Sequence, residues 1–126
     1  MNLPLVLSYN LAPEREGRLR TLCAIEKIHL KPVSPEDYGK AVGALAGLLP
    51  DAGVPQPAIP FADEMLVLCG FSEDKLNAFL RGFRQMGMAP VALKAVLTPS
   101  NATWNSTQLC AELRREHEAM SGQTRS

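Results

Sequence analysis

Apolar and polar positions follow the same order twice along the chain, with each short apolar run followed by an amphipathic segment. Residues 5–9 form a short apolar run, which is typical of a buried strand. Over residues 13–25, charged side chains surround Leu19, Leu22 and Cys23, as expected for a helix with one apolar face. The first half therefore begins with a strand and a helix.

A second strand and a second helix are predicted to complete this half. Residues 27–33 form the strand, and Ser34 and Pro35 suit the first turn of a helix that continues to Leu49. Glycine recurs at every fourth position of this helix, at Gly39, Gly43 and Gly47. We expect the glycines to permit close packing against a neighbouring helix or a second copy of the chain.

Residues 50–61 separate the halves and contain four prolines. Regular structure does not tolerate that density of proline, so these residues are predicted to form an extended linker.

The second half repeats the plan of the first. Residues 64–69 predict a strand, and Ser72 begins a helix that ends at Gly87. Residues 91–97 predict another strand, with a turn over residues 98–101. The last helix begins with Asn105 as N-cap and Gln108 three residues later, in a variant of the capping box. It is predicted to end near Met120, before a disordered polar tail of residues 121–126.

The two halves also share sequence, which indicates an internal repeat. Residues 5–7 match residues 66–68, and Lys31 matches Lys94 within a common L-K-x-V string. The predicted fold class is α/β: one domain over residues 1–126, with βαβα repeats at 3–49 and 64–120 and pseudo-two-fold symmetry. Its four-stranded sheet is at least partly parallel. An α+β two-layer sandwich is the alternative, and the pattern leaves open whether helices cover one face or both.

Charge and hydropathy exclude two classes of partner. Thirteen basic and thirteen acidic residues give a formal net charge of +0, and both halves are separately neutral. A nucleic-acid binder normally carries a basic excess, so no nucleic-acid partner is expected. No apolar run approaches the ~18 residues of a membrane span, and the N-terminus lacks a basic signal region, so no membrane partner is expected either.

Three widely spaced cysteines, Cys23, Cys69 and Cys110, form no C-x-x-C motif. This pattern argues against a disulfide framework or a metal centre and favours a reducing cytoplasm.

Three segments of the second half resemble one family. They are the string from Leu66 to Ser72, the segment K-A-V-L-T-P-x-N-x-x-W from Lys94 to Trp104, and the closing L-x-x-E-L-x-x-E-H from Leu109 to His117. That family is the bacterial domain of unknown function 3783, and the resemblance covers about residues 64–118. It implies a small bacterial protein of the cytoplasm, without a known activity.

The candidate site lies where ligands bind in many α/β folds, at strand ends that lead into helices. Its residues are Gly70, Phe71, Lys94, Thr98, Asn101, Trp104, Glu112 and His117. The opposing interpretations are structural. Lys94 would be an outward lysine on an edge strand that prevents aggregation between sheets, and the residues from Thr98 to Asn105 would form a turn and cap the last helix.

No catalytic or nucleotide-binding motif occurs, so we assign no catalytic residue, metal or cofactor. The leading hypothesis is a non-enzymatic module for protein–protein interaction or small-ligand binding, with a homo-oligomer left open. The alternative is a small enzyme that uses Lys94 or Cys69 with Glu112 and His117. Glu112, Glu116 and His117 on one helix offer too few ligands for a metal site.

Overall fold

A computed structural model describes residues 4–50 and 58–125, with side chains described up to residue 119. It contains four strands, β1 (Leu5–Tyr9), β2 (His29–Pro32), β3 (Met65–Cys69) and β4 (Leu93–Val96), in the order β2-β1-β3-β4. The pairs β1–β2 and β3–β4 are parallel, and β1 and β3 are antiparallel at the centre. The predicted α/β domain with a partly parallel four-stranded sheet is confirmed.

Helices cover both faces of the sheet. They are α1 (Pro13–Ile25), α2 (Val42–Leu45), α3 (Glu73–Gln85) and α4 (Ser106–Arg125), with 3₁₀ turns at Pro35–Asp37 and Asn101–Thr103. Alternate side chains of β1 and β3, such as Leu7 and Val67, pack with α2 and α4. The intervening ones, such as Val6 and Leu66, pack with α1 and α3. This alternation follows from the two-residue period of a strand and makes a three-layer domain.

Corresponding turns in the two halves have the same unusual backbone conformation. Asn10 and Gly70, each directly after a central strand, have φ of 62° and 71°. Lys27 and Gly87, each just past a long helix, have φ of 58° and 65°. The chain therefore turns in the same way at these two pairs of positions, and the internal repeat stays a prediction.

The register of the sheet separates the two lysines that the sequence match paired. Lys31 lies beside Leu7, whereas Lys94 lies beside Leu66, which points to the other face. The Lys31 ammonium donates to the Leu45 carbonyl at 2.9 Å, and that of Lys94 to the Val91 carbonyl at 3.0 Å. The predicted equivalence of these lysines is wrong, since a shift of one residue along a strand moves a side chain to the opposite face.

The predicted glycine-lined helix of the first half is also wrong. α2 is one turn long, Gly39 lies in the turn before it, and Gly47 follows it with φ of 79°. The amide of Val42 donates to the Trp104 carbonyl, and Ala41 forms a bridge with Asn105. Extended pairing with the second half therefore replaces the helical turns that apolar spacing predicted, and the glycines form no common face.

The start of α4 agrees with the predicted capping box. Asn105 Oδ1 accepts from the Gln108 amide at 2.8 Å, and Gln108 Oε1 accepts from the Asn105 amide at 2.9 Å. α4 continues to Arg125, past the predicted end near Met120 and through most of the predicted tail. Residues 51–57 of the predicted linker lie outside the described residues.

Candidate functional site

A groove of about 360 Å³ lies between β4 and α4. It is lined by five of the predicted site residues, Lys94, Thr98, Asn101, Trp104 and Glu112, together with Leu113 and Glu116. We call this depression the α4 groove. Its lining combines an indole and a leucine with two carboxylates, a surface suited to apolar and cationic groups.

Asn101 holds the turn at one end of the α4 groove. Its Oδ1 accepts from the Thr98 amide at 2.9 Å, and its Nδ2 donates to the Val96 carbonyl at 3.0 Å. The Thr98 hydroxyl accepts in return from the Asn101 amide at 3.2 Å. Thr98 and Asn101 therefore shape the groove by fixing the chain between β4 and α4.

The backbone of Lys94 borders the α4 groove, but its side chain lies on the opposite face of the sheet. Its neighbours Leu93 and Ala95 pack against the α2–α4 layer, so the intervening Lys94 side chain points toward α3. There it borders an apolar depression of about 210 Å³ with Leu80, Phe83, Arg84, Met88 and Pro90, which we call the α3 groove. The ammonium of Lys94 therefore does not converge with Asn101 and Glu112.

The α3 groove was not predicted from the sequence. The apolar spacing of α3 indicates a core-facing helix, and Phe83 is indeed buried. Only the order of the strands shows that this helix ends beside an open sheet edge.

Three predicted site residues lie away from both grooves. Gly70 and Phe71 follow β3, and the Phe71 ring packs edge-on against Phe79 with centroids 5.6 Å apart. His117 is exposed and borders a separate depression of about 500 Å³ that Asp63 and Arg114 also line. The eight predicted residues are thus divided among different surfaces.

The second half of the chain carries the resemblance to known proteins. Residues 64–120 match the family described as Domain of unknown function (DUF3783). The predicted resemblance is confirmed. No curated protein and no solved structure matches the chain. We call residues 64–120 the DUF3783 segment. It contains β3, α3, β4 and α4 as far as residue 120, and every residue named in both grooves belongs to it.

The helices of the DUF3783 segment are not long and apolar enough to cross a bilayer. The same holds for the rest of the described chain, where no helix combines sufficient length with sufficient apolar character.

Of the two cysteines in the DUF3783 segment, Cys69 was the candidate nucleophile, and it lacks the exposure that a nucleophile needs. Cys69 is fully buried, and burial raises the pKa of its thiol to about 12. The sequence allowed a lowered pKa because Cys69 precedes a helix, but the side chain points into the core instead.

All three cysteines are expected to react slowly with iodoacetamide in the folded protein. Burial raises the pKa of Cys23 to about 12 and raises that of Cys110 as well, so very little thiolate exists at pH 8. Mass spectrometry should show labelling only after denaturation in guanidinium. One thiol that reacts in the native protein as fast as free cysteine would contradict this result.

The carboxylates and His117 of the DUF3783 segment do not assemble a metal site. Among the described residues, no group of three or more potential ligands has suitable geometry. Glu112 instead accepts a hydrogen bond from Arg115 at 2.5 Å and forms a solvated ion pair with it.

Beside His117, the ion pair of Asp63 and Arg114 is expected to make stability depend on pH. Hydrogen bonding from Arg114 lowers the pKa of Asp63 below its ordinary value. A carboxyl whose pKa is lowered by folding stabilises the protein above its unfolded pKa, and that contribution is lost as pH falls through the folded pKa. Arg114→Met should therefore destabilise the protein at neutral pH, and the difference from wild type should shrink below about pH 4.

Urea denaturation at a series of pH values measures this effect. In an Asp63→Asn background, Arg114→Met should show no such pH dependence, because the titrating carboxyl is gone. A gap between wild type and Arg114→Met that stays constant from pH 7 to pH 2 would contradict the prediction.

Proposed function

We propose that the protein is a non-enzymatic interaction module that binds another protein through the α4 groove. The observation that carries this proposal is the division of reactive side chains. Lys94 points away from Glu112, Cys69 is buried, and His117 borders another depression. The groove keeps Trp104, Leu113 and Glu116 as its contact surface, a combination of aromatic, aliphatic and charged groups common in protein-binding sites.

We also propose a bacterial cytoplasmic setting for this interaction. The three described cysteines are buried and free, which suits a reducing compartment. A bacterial origin is what the resemblance of residues 64–120 to the family implies. The predicted absence of nucleic-acid and membrane partners belongs to the same proposal and rests on the neutral charge of both halves.

Trp104 is the only tryptophan of the chain, so its fluorescence reports directly on the α4 groove. A random peptide-display library can be selected on the folded protein, and the enriched peptides then titrated while Trp104 emission is followed. We expect saturable changes in intensity or wavelength.

A pair of variants on the same helix separates groove binding from general charge attraction. Glu116 borders the α4 groove, whereas Glu118, also exposed, borders the depression beside Asp63. Glu116→Arg should weaken binding of selected peptides on the order of tenfold if a charge contact is reversed, and Glu118→Arg should change it little. Equal effects of both variants, or peptides that leave Trp104 emission unchanged, would overturn the proposal.

Small-ligand binding is the second candidate, since the volume of the groove lies within the range of small-molecule pockets. A thermal-shift screen against nucleotides, metal ions and anionic metabolites tests it. We expect no compound to raise the melting temperature and change Trp104 emission together. One that does both would replace the protein-binding proposal.

A further inference from the structure

The two outer strands of the sheet differ in what they offer a further strand. β2 and β4 are the edge strands, so one side of each has no neighbour in the described sheet. The backbone groups on such a side form a template for pairing with another extended chain. Which groups point outward decides whether the template is usable.

On β2 the outward positions include a proline. The amides of His29 and Val33 donate toward β1, to the carbonyls of Pro4 and Ser8. Because successive residues of a strand direct their backbone groups to alternate sides, Leu30 and Pro32 face outward. Pro32 has no N–H to donate, so this edge is blocked in the manner common for edge strands.

On β4 the outward-facing residues all have a backbone N–H group to donate. The amide of Leu97 donates to the Leu68 carbonyl on β3, so Lys94 and Val96 face outward. Neither is proline, and no other described segment pairs with this side of β4. The Val96 carbonyl accepts from the Asn101 side chain, which leaves the amides of both residues and the Lys94 carbonyl for a further strand.

The open edge lies between the two grooves. The α4 groove adjoins β4 on one face of the sheet, and the α3 groove adjoins it on the other. A strand added to β4 would direct successive side chains alternately toward these two faces. Pairing and side-chain recognition therefore coincide at one place.

The grooves differ in chemistry, and this difference defines the side chains that fit. The α4 groove is lined by Trp104, Glu112 and Glu116. Glu112 already accepts from Arg115, and Glu116 is exposed, so the groove presents an aromatic ring and negative charge to a basic side chain. The α3 groove has an apolar surface of Leu80, Phe83 and Met88, with Arg84 and Lys94 as its cations. It favours an aliphatic side chain and opposes a basic one.

We propose that β4 binds an extended segment of another protein in which basic and aliphatic residues alternate. The segment adds as a fifth strand, its basic residues toward Glu112 and Glu116 and its aliphatic residues toward the α3 groove. This inference rests on the proposed function and names the class of partner. A second copy of the chain fits less well, because antiparallel pairing of two β4 strands would place Lys94 and Arg84 of both copies on one face, where like charges repel.

An eight-residue peptide of alternating lysine and valine is the first probe. Its binding is measured by Trp104 fluorescence and by calorimetry, against a glutamate–valine peptide with the same alternation. The lysine peptide should bind at least about tenfold more tightly, because the acidic groove attracts it and repels the other. Equal affinity of the two peptides would overturn the charge assignment.

The double variant Glu112→Lys/Glu116→Lys should reverse this preference. Glu14→Lys/Glu36→Lys changes the net charge equally at exposed positions outside both grooves and should leave the preference intact. A reversal produced by the control pair would mean that overall charge, rather than the groove, selects the peptide.

Two N-methylated forms of the lysine–valine peptide test backbone pairing without altering the protein. One carries methyl groups on the valine amides, and the other on the lysine amides. Only one set of amides faces β4, so one form should lose about tenfold or more in affinity while the other retains it. Loss on valine methylation indicates antiparallel addition, and loss on lysine methylation indicates parallel addition.

The results distinguish this inference from the proposed function. If both N-methylated forms bind alike and Trp104 still responds, pairing to β4 is overturned while the α4 groove remains a binding site. If library-selected peptides never affect Trp104, the proposed function fails first. A concentration-dependent dimer in sedimentation that Val96→Pro abolishes would replace the foreign segment with a second copy.

Discussion

Phe79→Ala is expected to lower the free energy of unfolding by about 3–5 kcal/mol, because it leaves a large cavity in the layer beneath α3. Phe79 is fully buried, and its ring meets those of Phe71 and Phe83 edge-on, with centroids 5.6 Å and 5.2 Å away. A domain of this size has about 5–15 kcal/mol of total stability, so this loss is a substantial fraction of the total. Urea denaturation followed by circular dichroism measures the loss.

Phe71→Ala is the matched comparison for Phe79→Ala. Phe71 makes one of the same ring contacts but is half-buried, so its removal should cost clearly less. Similar losses for the two variants would mean that the layer beneath α3 rearranges around the cavity. The Phe71 result also bears on the predicted site, since Phe71 stabilises the core and borders neither groove.

Gly82→Val is expected to destabilise the protein by about 2–3 kcal/mol through overpacking between α1 and α3. A Cβ at Gly82 would lie 2.3 Å from Leu22 Cδ1, 3.1 Å from Cδ2 and 3.3 Å from Cγ. Because Leu22 is itself buried in the core, any movement that relieves this contact must disturb its other neighbours. Thermal and urea denaturation should agree on the loss.

Gly17→Val supplies the control on the other helix. A Cβ at Gly17 meets nothing within 4 Å, and glycine and valine differ little in helix propensity compared with the clash at Gly82. The control should change stability by less than about 1 kcal/mol. If both variants lost the same amount, the cause would be the valine backbone preference rather than contact with Leu22.

The long elements could be predicted from sequence because their signals are local. The apolar stripe of α1 indicated a helix over the residues that form it, and the Ser72 cap indicated α3 to within two residues at each end. Ser72 Oγ accepts from the Lys75 amide. The reciprocal side-chain bonds of Asn105 and Gln108 also depend only on residues close in the chain. Such features need no knowledge of the sheet.

The errors arose where distant residues decide the structure. Apolar spacing after Pro35 predicted a helix to Leu49. Ala41 instead pairs with Asn105 before α2, and Gly47 has a positive φ just after it, so the helix between them is one turn long. The register of β2 and β4 likewise depends on their partners in the sheet, so matching Lys31 to Lys94 by sequence assigned both to one face.

The candidate site was predicted only in part, because some of its residues are close in the sequence and others are brought together by the order of the strands. The turn from Thr98 to Trp104 and the adjacent face of α4 are close in sequence, so their shared groove could be anticipated. His117 follows Glu116 by one residue and therefore points about 100° further around α4, toward another depression. The α3 groove depends on β4 being an edge strand, and no local pattern specifies strand order.

Pro32 also sets how many partners the sheet can accept. Pro32 has no backbone N–H, so β2 does not accept a further strand and strand addition is confined to β4. The domain is therefore monovalent for assembly by strand addition. Two open edges would allow head-to-tail growth into a filament, because each added chain would present a fresh edge to the next. One open edge instead limits a complex formed at β4 to a stoichiometry of one to one.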